Sequence, residues 1–325
     1  MRRRRFLTLL SGAAAWPLAA RAQQPATLPV IGFLGANSHQ AQRESTAAML
    51  QRLRELGWIE GRNFRIEYRW AEGRYDRSFE LVAELLGLKA DVIVTHATPN
   101  VLAARRATST IPVVFAAVGD PVGNGLVASL ARPGGNVTGL SLQSSDLAGK
   151  RLELLREIIP GRRRLSVLSN PASPNAPLEV GELRAANLKF DFEISVLEIK
   201  RSEDIAPAIE GLKGSIDALY VQTDPLFYTN RSLIGALALD AKLPTISGTR
   251  EYVEAGSLIS YGANFTDLFR RTADYIDKIL RGANAADLPV QQPTKFDLIV
   301  NLKTAKALGI EPSPTFLART DETVE

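Results

Sequence analysis

The chain has 325 residues, 45% hydrophobic and 23% charged, with no cysteine and a formal net charge of +4. That length exceeds one small core and suits two lobes of about 100 to 150 residues each, while the absence of cysteine excludes disulfides, thiolate metal sites and a lipid-modified cysteine. The positive balance does not point to nucleic acid, because Arg2, Arg3, Arg4, Arg5 and Arg21 all precede Gln23; without those five the 39 basic residues fall to 34, against 35 acidic.

Residues 1–22 read as an export signal: a basic run, a weakly apolar stretch from Phe6 to Ala20, and Ala20-Arg21-Ala22 as an A-x-A cleavage site. Arg3-Arg4-Arg5-Phe6-Leu7 fits the twin-arginine pattern, and a Sec signal shares the basic start. Trp16-Pro17 interrupts a stretch already shorter than a membrane span needs. The expected location is periplasmic, with cleavage near Ala22.

Beyond the leader, strand and helix patterns alternate. Pro29 to Gly35 is a buried strand, and Asn37 to His39 offers capping groups before a helix carrying Met49, Leu50, Leu53 and Leu56. Phe64 to Trp70 alternates as a half-exposed strand near an edge, and Asp76 caps the next helix. Asp91 to Thr95 is a strand, Thr98 to Thr108 a helix, and Pro112 to Ala117 a strand. Asp120-Pro121 breaks the chain, Leu126 to Leu130 gives a helical turn or two, and Pro133-Gly134-Gly135-Asn136 turns it before the short strand Val137 to Leu142.

The second half repeats the alternation: helix Asp146 to Ile159, strand Leu165 to Ser169, helix Pro177 to Leu188, strand Phe192 to Leu197, helix Ser202 to Leu212, strand Ala218 to Gln222, helix Asn230 to Ala241, then strands Pro244 to Ser247 and Ser257 to Tyr261. A helical stripe from Phe265 to Leu280, a strand from Phe296 to Asn301 and a helix from Lys303 to Leu308 follow. The expected fold is α/β: two doubly wound parallel-sheet lobes joined by a hinge crossed near Gly139, Gly262 and Gln291. Lobe 1 takes residues 29–139 and 263–290, lobe 2 takes 140–262 and 291–310, and 311–325 is a polar tail.

The run Asp120 to Leu142, with Tyr261-Gly262 and Pro293-Thr294-Lys295-Phe296, resembles the ABC transporter substrate-binding proteins related to the tryptophan-binding lipoproteins. The resemblance covers nearly the whole mature chain and implies a type I periplasmic binding protein that closes on a ligand and serves an ABC permease and its ATPase. The lipoprotein members carry a cysteine anchor that this sequence lacks.

In such a fold ligands meet the carboxyl ends of the strands, where this chain places small and polar residues. Asn37, Ser38, Thr95 and Thr98 are expected to hold one side of the ligand, and Asn170, Asp224, Thr249 and Tyr261 to close from the other. Asp120 is the first candidate for an ammonium group and Asp224 the second, with Phe227, Tyr228 and Tyr261 as aromatic walls. These suit an amino acid or a similar zwitterion or carboxylate. Each has an ordinary counterpart: Asp-Pro also makes turns, and Phe227 and Tyr228 also suit a core.

No catalytic set is visible. His39 and His96 are the only histidines, no G-x-S-x-G elbow is present, and the glycine-rich run after Asp120 lacks the Lys-Ser/Thr of a P-loop. The expectations are no enzyme activity, no cofactor, no metal and no nucleic-acid partner, with the membrane reached only through the permease. A ligand-sensing module for a membrane sensor is the alternative, and an exported enzyme on the same fold is a third.

Overall fold

The computed structural model describes residues 28–325; the proposed leader lies outside them. The first half forms β1 (Val30–Gly35), α1 (Arg43–Glu55), β2 (Arg65–Trp70), a single 3-10 turn Tyr75–Arg77, α2 (Ser78–Gly87), β3 (Val92–Thr95), α3 (Thr98–Ala107), β4 (Val113–Val118) and β5 (Val137–Ser141). The second continues with α4 (Ala148–Ile158), β6 (Arg164–Ser169), α5 (Ala176–Asn187), β7 (Glu193–Glu198), α6 (Ile205–Glu210), β8 (Ala218–Val221), α7 (Pro225–Thr229), α8 (Arg231–Asp240), β9 (Thr245–Ser247), α9 (Arg250–Glu254) and β10 (Ile259–Gly262). The chain ends with α10 (Phe265–Leu280), β11 (Asp297–Asn301), α11 (Leu302–Ala307), α12 (Pro314–Leu317) and β12 (Glu322–Val324).

Two sheets result, ordered β2-β1-β3-β4-β5 and β12-β11-β10-β9-β8-β6-β7. The inner strands β1, β3 and β4 are buried along their whole length, as strands covered on both faces by helices must be, whereas the edge strands β2 and β7 alternate or stay half exposed. Strand order reverses between β1 and β3 in the first sheet and between β6 and β8 in the second. Such reversals open a crevice at the carboxyl ends of the flanking strands, and the loops after β1, β3, β6 and β8 meet across one cleft.

The chain passes between the sheets three times: after Ser141, after Gly262, and between Gln291, which bridges to Leu140, and β11. Helix α10 lies against the first sheet, burying Phe265, Leu268, Phe269, Ala273 and Ile276 against α1 and β4. It is held there by Arg52, which donates to Asp274 at 2.9 and 3.0 Å, and by the Trp58 indole, which donates to Asp277 at 2.8 Å. Strand β11 pairs antiparallel with β10, the one antiparallel pair in either sheet. It enters from the cleft end without a crossover helix, so it can only run backwards.

Four local expectations fail. Asp76 caps no helix: it lies inside the 3-10 turn and accepts from Arg74 at 2.7 Å, and α2 opens after Arg77 without a side-chain cap. Segment 311–325 is not a polar tail: Phe316 is fully buried, and β12 adds a parallel edge strand to β11. Residues 126–130 form bends rather than helix, because their backbone groups pair outside the segment: the Leu126 and Val127 N–H groups both donate to the Pro121 carbonyl, and the Ala128 N–H donates to that of Pro133. Helix α1 opens at Gln42 without a side-chain cap, since Ser38 spends its hydroxyl on the Ala41 N–H, within the preceding turn.

The burial of Phe316 gives a direct test of the C-terminal segment. Phe316→Ala lowers the unfolding free energy by about 3–5 kcal/mol in urea denaturation, and a loss below about 0.5 kcal/mol would match an exposed tail instead.

Candidate functional site

A cleft lies between the two sheets, at the carboxyl ends of their strands. From the first lobe it is lined by Asn37, Tyr75, His96, Ala97, Thr98, Gly119 and Phe265; from the second by Ser173, Asn175, Thr223, Asp224, Tyr228 and Thr249. Leu142 and Ser144 of the first crossing form its floor.

Asp224 is the only acidic residue in this lining, and it is buried. It caps α7 from the loop after β8. Its Oδ1 accepts from the Leu226 N–H at 2.9 Å and from Asn170 Nδ2 at 3.1 Å, and its Oδ2 accepts from the Tyr75 hydroxyl of the other lobe. Burial pushes the Asp224 pKa upward, and the bonds from Tyr75, Asn170 and Leu226 oppose that rise. The same burial, with the neighbouring Asp224 charge, raises the Tyr75 phenol well above its ordinary value.

The lobes touch at two further points. Gly73, at φ +77°, brings the first lobe against α7 so closely that a Cβ there would sit 3.0 Å from the Leu226 Cα. On the other flank Asn175 donates to Ser144 Oγ at 3.0 Å and accepts from Asn124 Nδ2 at 3.3 Å, and a Cβ on Gly119 would meet its carboxamide at 2.5 Å. Glycine at 73 and 119 is what permits this closeness.

Opposite Asp224 stands the N-terminus of α3. Ala97 precedes it at φ 62°, an unusual backbone for a non-glycine residue, and Pro99 fills the first turn. Thr98 opens the helix and lines the cleft, so N–H groups and the positive end of the helix dipole face the ligand space. Beside it, His96 Nε2 accepts from the Ala36 N–H at 2.9 Å, with the Gln42 amide 2.7 Å from the same nitrogen. Burial pushes the His96 pKa down to about 3, so the imidazole is neutral in any physiological medium. Its ring stands edge-on to Phe265 at 5.9 Å and Phe269 at 5.3 Å, and Phe265 lies 5.4 Å from Tyr228.

The expected site residues divide accordingly. Asn37, Thr98, Asp224 and Thr249 line the cleft, and Asn170 stands behind Asp224. Thr95 is fully buried and donates to the Leu34 carbonyl, tying β3 to β1. Ser38 closes the turn before α1. Asp120 closes its own loop, and Tyr261 packs on Phe296 while its carbonyl accepts from Arg151 Nε at 2.8 Å. Of the aromatic walls, Tyr228 lines the cleft and Phe227 is core. Tyr75, His96, Ser144, Ser173, Asn175, Thr223 and Phe265 also line it; of these, the strand-end positions of His96, Ser173 and Thr223 offered a signal in the sequence. Among the described residues no cluster could hold a metal ion, and no helix is long and apolar enough to cross a membrane.

Two α/β lobes with matching strand reversals and a polar, aromatic-walled cleft across a three-stranded hinge define a type I periplasmic binding protein. The family model for ABC transporter substrate binding proteins matches residues 30–324, and the chain belongs to that family. A tyrosine-binding protein of Clostridioides difficile (strain R20291) is 30% identical over 281 residues, 86% of this chain and 81% of the relative. The structure of an ABC domain in complex with L-Trp from Streptococcus pneumonia superposes with a TM-score of 0.85 at 26% identity, covering 92% of this chain and all of that one. The ligand-free, open structure of a Clostridium difficile substrate-binding protein with adhesive properties gives only 0.64 at 31% identity, over 92% of this chain and all of that one. Of these two relatives the more similar sequence superposes less well.

The depressed His96 pKa makes a stability prediction. Between pH 6.5 and about 3 the unfolded chain protonates this ring and the folded chain does not, so stability falls with pH by about 1.4 kcal/mol per unit more than in a His96→Gln variant. Urea denaturation at pH 7, 6 and 5 measures the two slopes; parallel lines would show that His96 titrates normally.

Proposed function

We propose that this chain is an exported receptor for an aromatic L-α-amino acid, which it delivers from the periplasm to an ABC permease and its ATPase. The observation that carries the reading is the buried Asp224 carboxylate, alone of its sign in a cleft that it shares with the N-terminus of α3 and the Phe265–Tyr228 ring pair. A cleft with one negative group suits a ligand bringing one positive group, and the uncharged donors opposite suit that ligand's carboxylate.

In this account Asp224, not Asp120, takes the ammonium. Thr98 and the α3 backbone take the carboxylate, and Phe265 and Tyr228 flank the ring. Asn170 holds the Asp224 carboxylate in place, and Tyr75 joins it only when the lobes close, so occupancy of Asp224 and closure favour one another. The tyrosine-binding relative and the L-Trp complex support the aromatic class. The basic leader, its A-x-A site and the neutral mature chain support export.

Calorimetric titration of the mature chain with L-tyrosine, L-tryptophan and L-phenylalanine tests the reading. Asp224→Asn keeps the cap on α7 and weakens binding by about 1.5–3 kcal/mol, roughly 10- to 150-fold, the worth of a hydrogen bond to a charged group. Undiminished affinity in a folded Asp224→Asn protein would remove the carboxylate from the site. Because the Asp224 pKa is raised and the ammonium requires the ionised form, wild-type affinity falls on acidification from above the ordinary carboxylate value of 3.8.

A further inference from the structure

We propose that Asn37 selects among aromatic ligands by pairing with a polar group on the ligand's ring, so that a ring bearing an O–H or N–H donor is favoured over a bare phenyl. The proposal rests on the amino-acid reading above and refines it.

Asn37 leaves β1 at the strand reversal of the first sheet and lines the cleft with only 1% of its surface exposed. Its Oδ1 is buried and accepts no hydrogen bond from the protein. A buried amide in that condition is uncommon and destabilising unless something else pairs it. The cleft is the side from which a donor can come.

The surroundings say which part of a ligand supplies it. The preceding residue, Ala36, donates to His96, whose ring stands edge-on to Phe265 and Phe269, and Phe265 continues to Tyr228. Asn37 thus shares the cleft lining with His96, Phe265 and Tyr228, while Asp224 already has Tyr75 and Asn170 bonded to it. A carboxamide both accepts and donates, so it can take an indole N–H or exchange with a phenol O–H. Against a phenyl ring it stays unpaired, and sites built this way reject the analogue that lacks the polar group.

The test is the ratio of dissociation constants for phenylalanine, tyrosine and tryptophan in wild type, Asn37→Leu and Asn37→Asp. Wild type prefers tyrosine and tryptophan by at least about tenfold. In Asn37→Leu, which keeps the shape and removes both polar atoms, the ratios collapse to within about threefold of unity, whichever way the absolute affinities move. Asn37→Asp retains an acceptor and retains the preference, which keeps the test alive if the leucine variant does not fold. If Asn37 instead held the ligand's α-carboxylate, the leucine substitution would weaken all three ligands by one factor with the ratios intact, and the proposal fails. Wild type binding phenylalanine as tightly as the other two also overturns it, with the amino-acid reading untouched. Wild type binding none of the three overturns that reading itself.

Discussion

A carboxylate buried between two lobes is the constraint around which this receptor is arranged. Removing a carboxylate from water is unfavourable unless it is paired, hydrogen-bonded or protonated. Asp224 receives two donors from its own lobe, Asn170 and the Leu226 N–H, and a third from Tyr75 across the cleft. All three are neutral, and burial still raises its pKa. Among the described residues no cation pairs with it, and in the proposed account a ligand ammonium supplies one. Tyr75 belongs to the opposite lobe, so in the proposed account occupancy of the carboxylate and closure favour one another, as when a ligand shifts a two-state equilibrium.

The scaffold that delivers these groups is one pattern used twice. In each sheet the order 2-1-3-4-5 recurs, as β2-β1-β3-β4-β5 and as β7-β6-β8-β9-β10. Each reversal presents its loops to the same cleft: Asn37, His96 and Thr98 from one, Asn170, Asn175, Thr223 and Asp224 from the other. The crossings between lobes are fastened at one buried guanidinium. Arg151 donates to the Ser144 carbonyl of the first crossing, to the Tyr261 carbonyl just before the second, and to Glu179 and the Tyr220 hydroxyl. Glycine at 139 and 262 serves close packing: a Cβ would lie 2.0 Å from the Phe115 carbonyl oxygen and 1.9 Å from that of Gly248, respectively. The hinge strands are therefore anchored at their ends.

Periodicity made the alternating elements legible, since buried parallel strands and amphipathic helices such as α10 leave strong patterns. Position in the sheet was not legible, and the two Asp-Pro pairs show why. Asp120-Pro121 and Asp224-Pro225 look alike, each at a strand end. Asp224 follows β8, beside the strand reversal, whereas Asp120 follows β4, one strand removed from it, and turns onto its own backbone. Only strand order distinguishes them. Tyr75 was invisible for a similar reason: it sits in a short 3-10 turn after an edge strand, and its partner lies 149 residues away. The C-terminal strand was hidden by its length, since three residues, Glu322–Val324, carry no period.

The central claim is that the cleft recognises a ligand ammonium through Asp224. The most direct measurement compares, by titration calorimetry on the mature chain, L-tyrosine with its des-amino analogue, 3-(4-hydroxyphenyl)propionate, which keeps ring and carboxylate and lacks only the cation. The account predicts that the analogue binds at least about tenfold more weakly, the loss of one charge-assisted contact. Equal affinity for the two would contradict it.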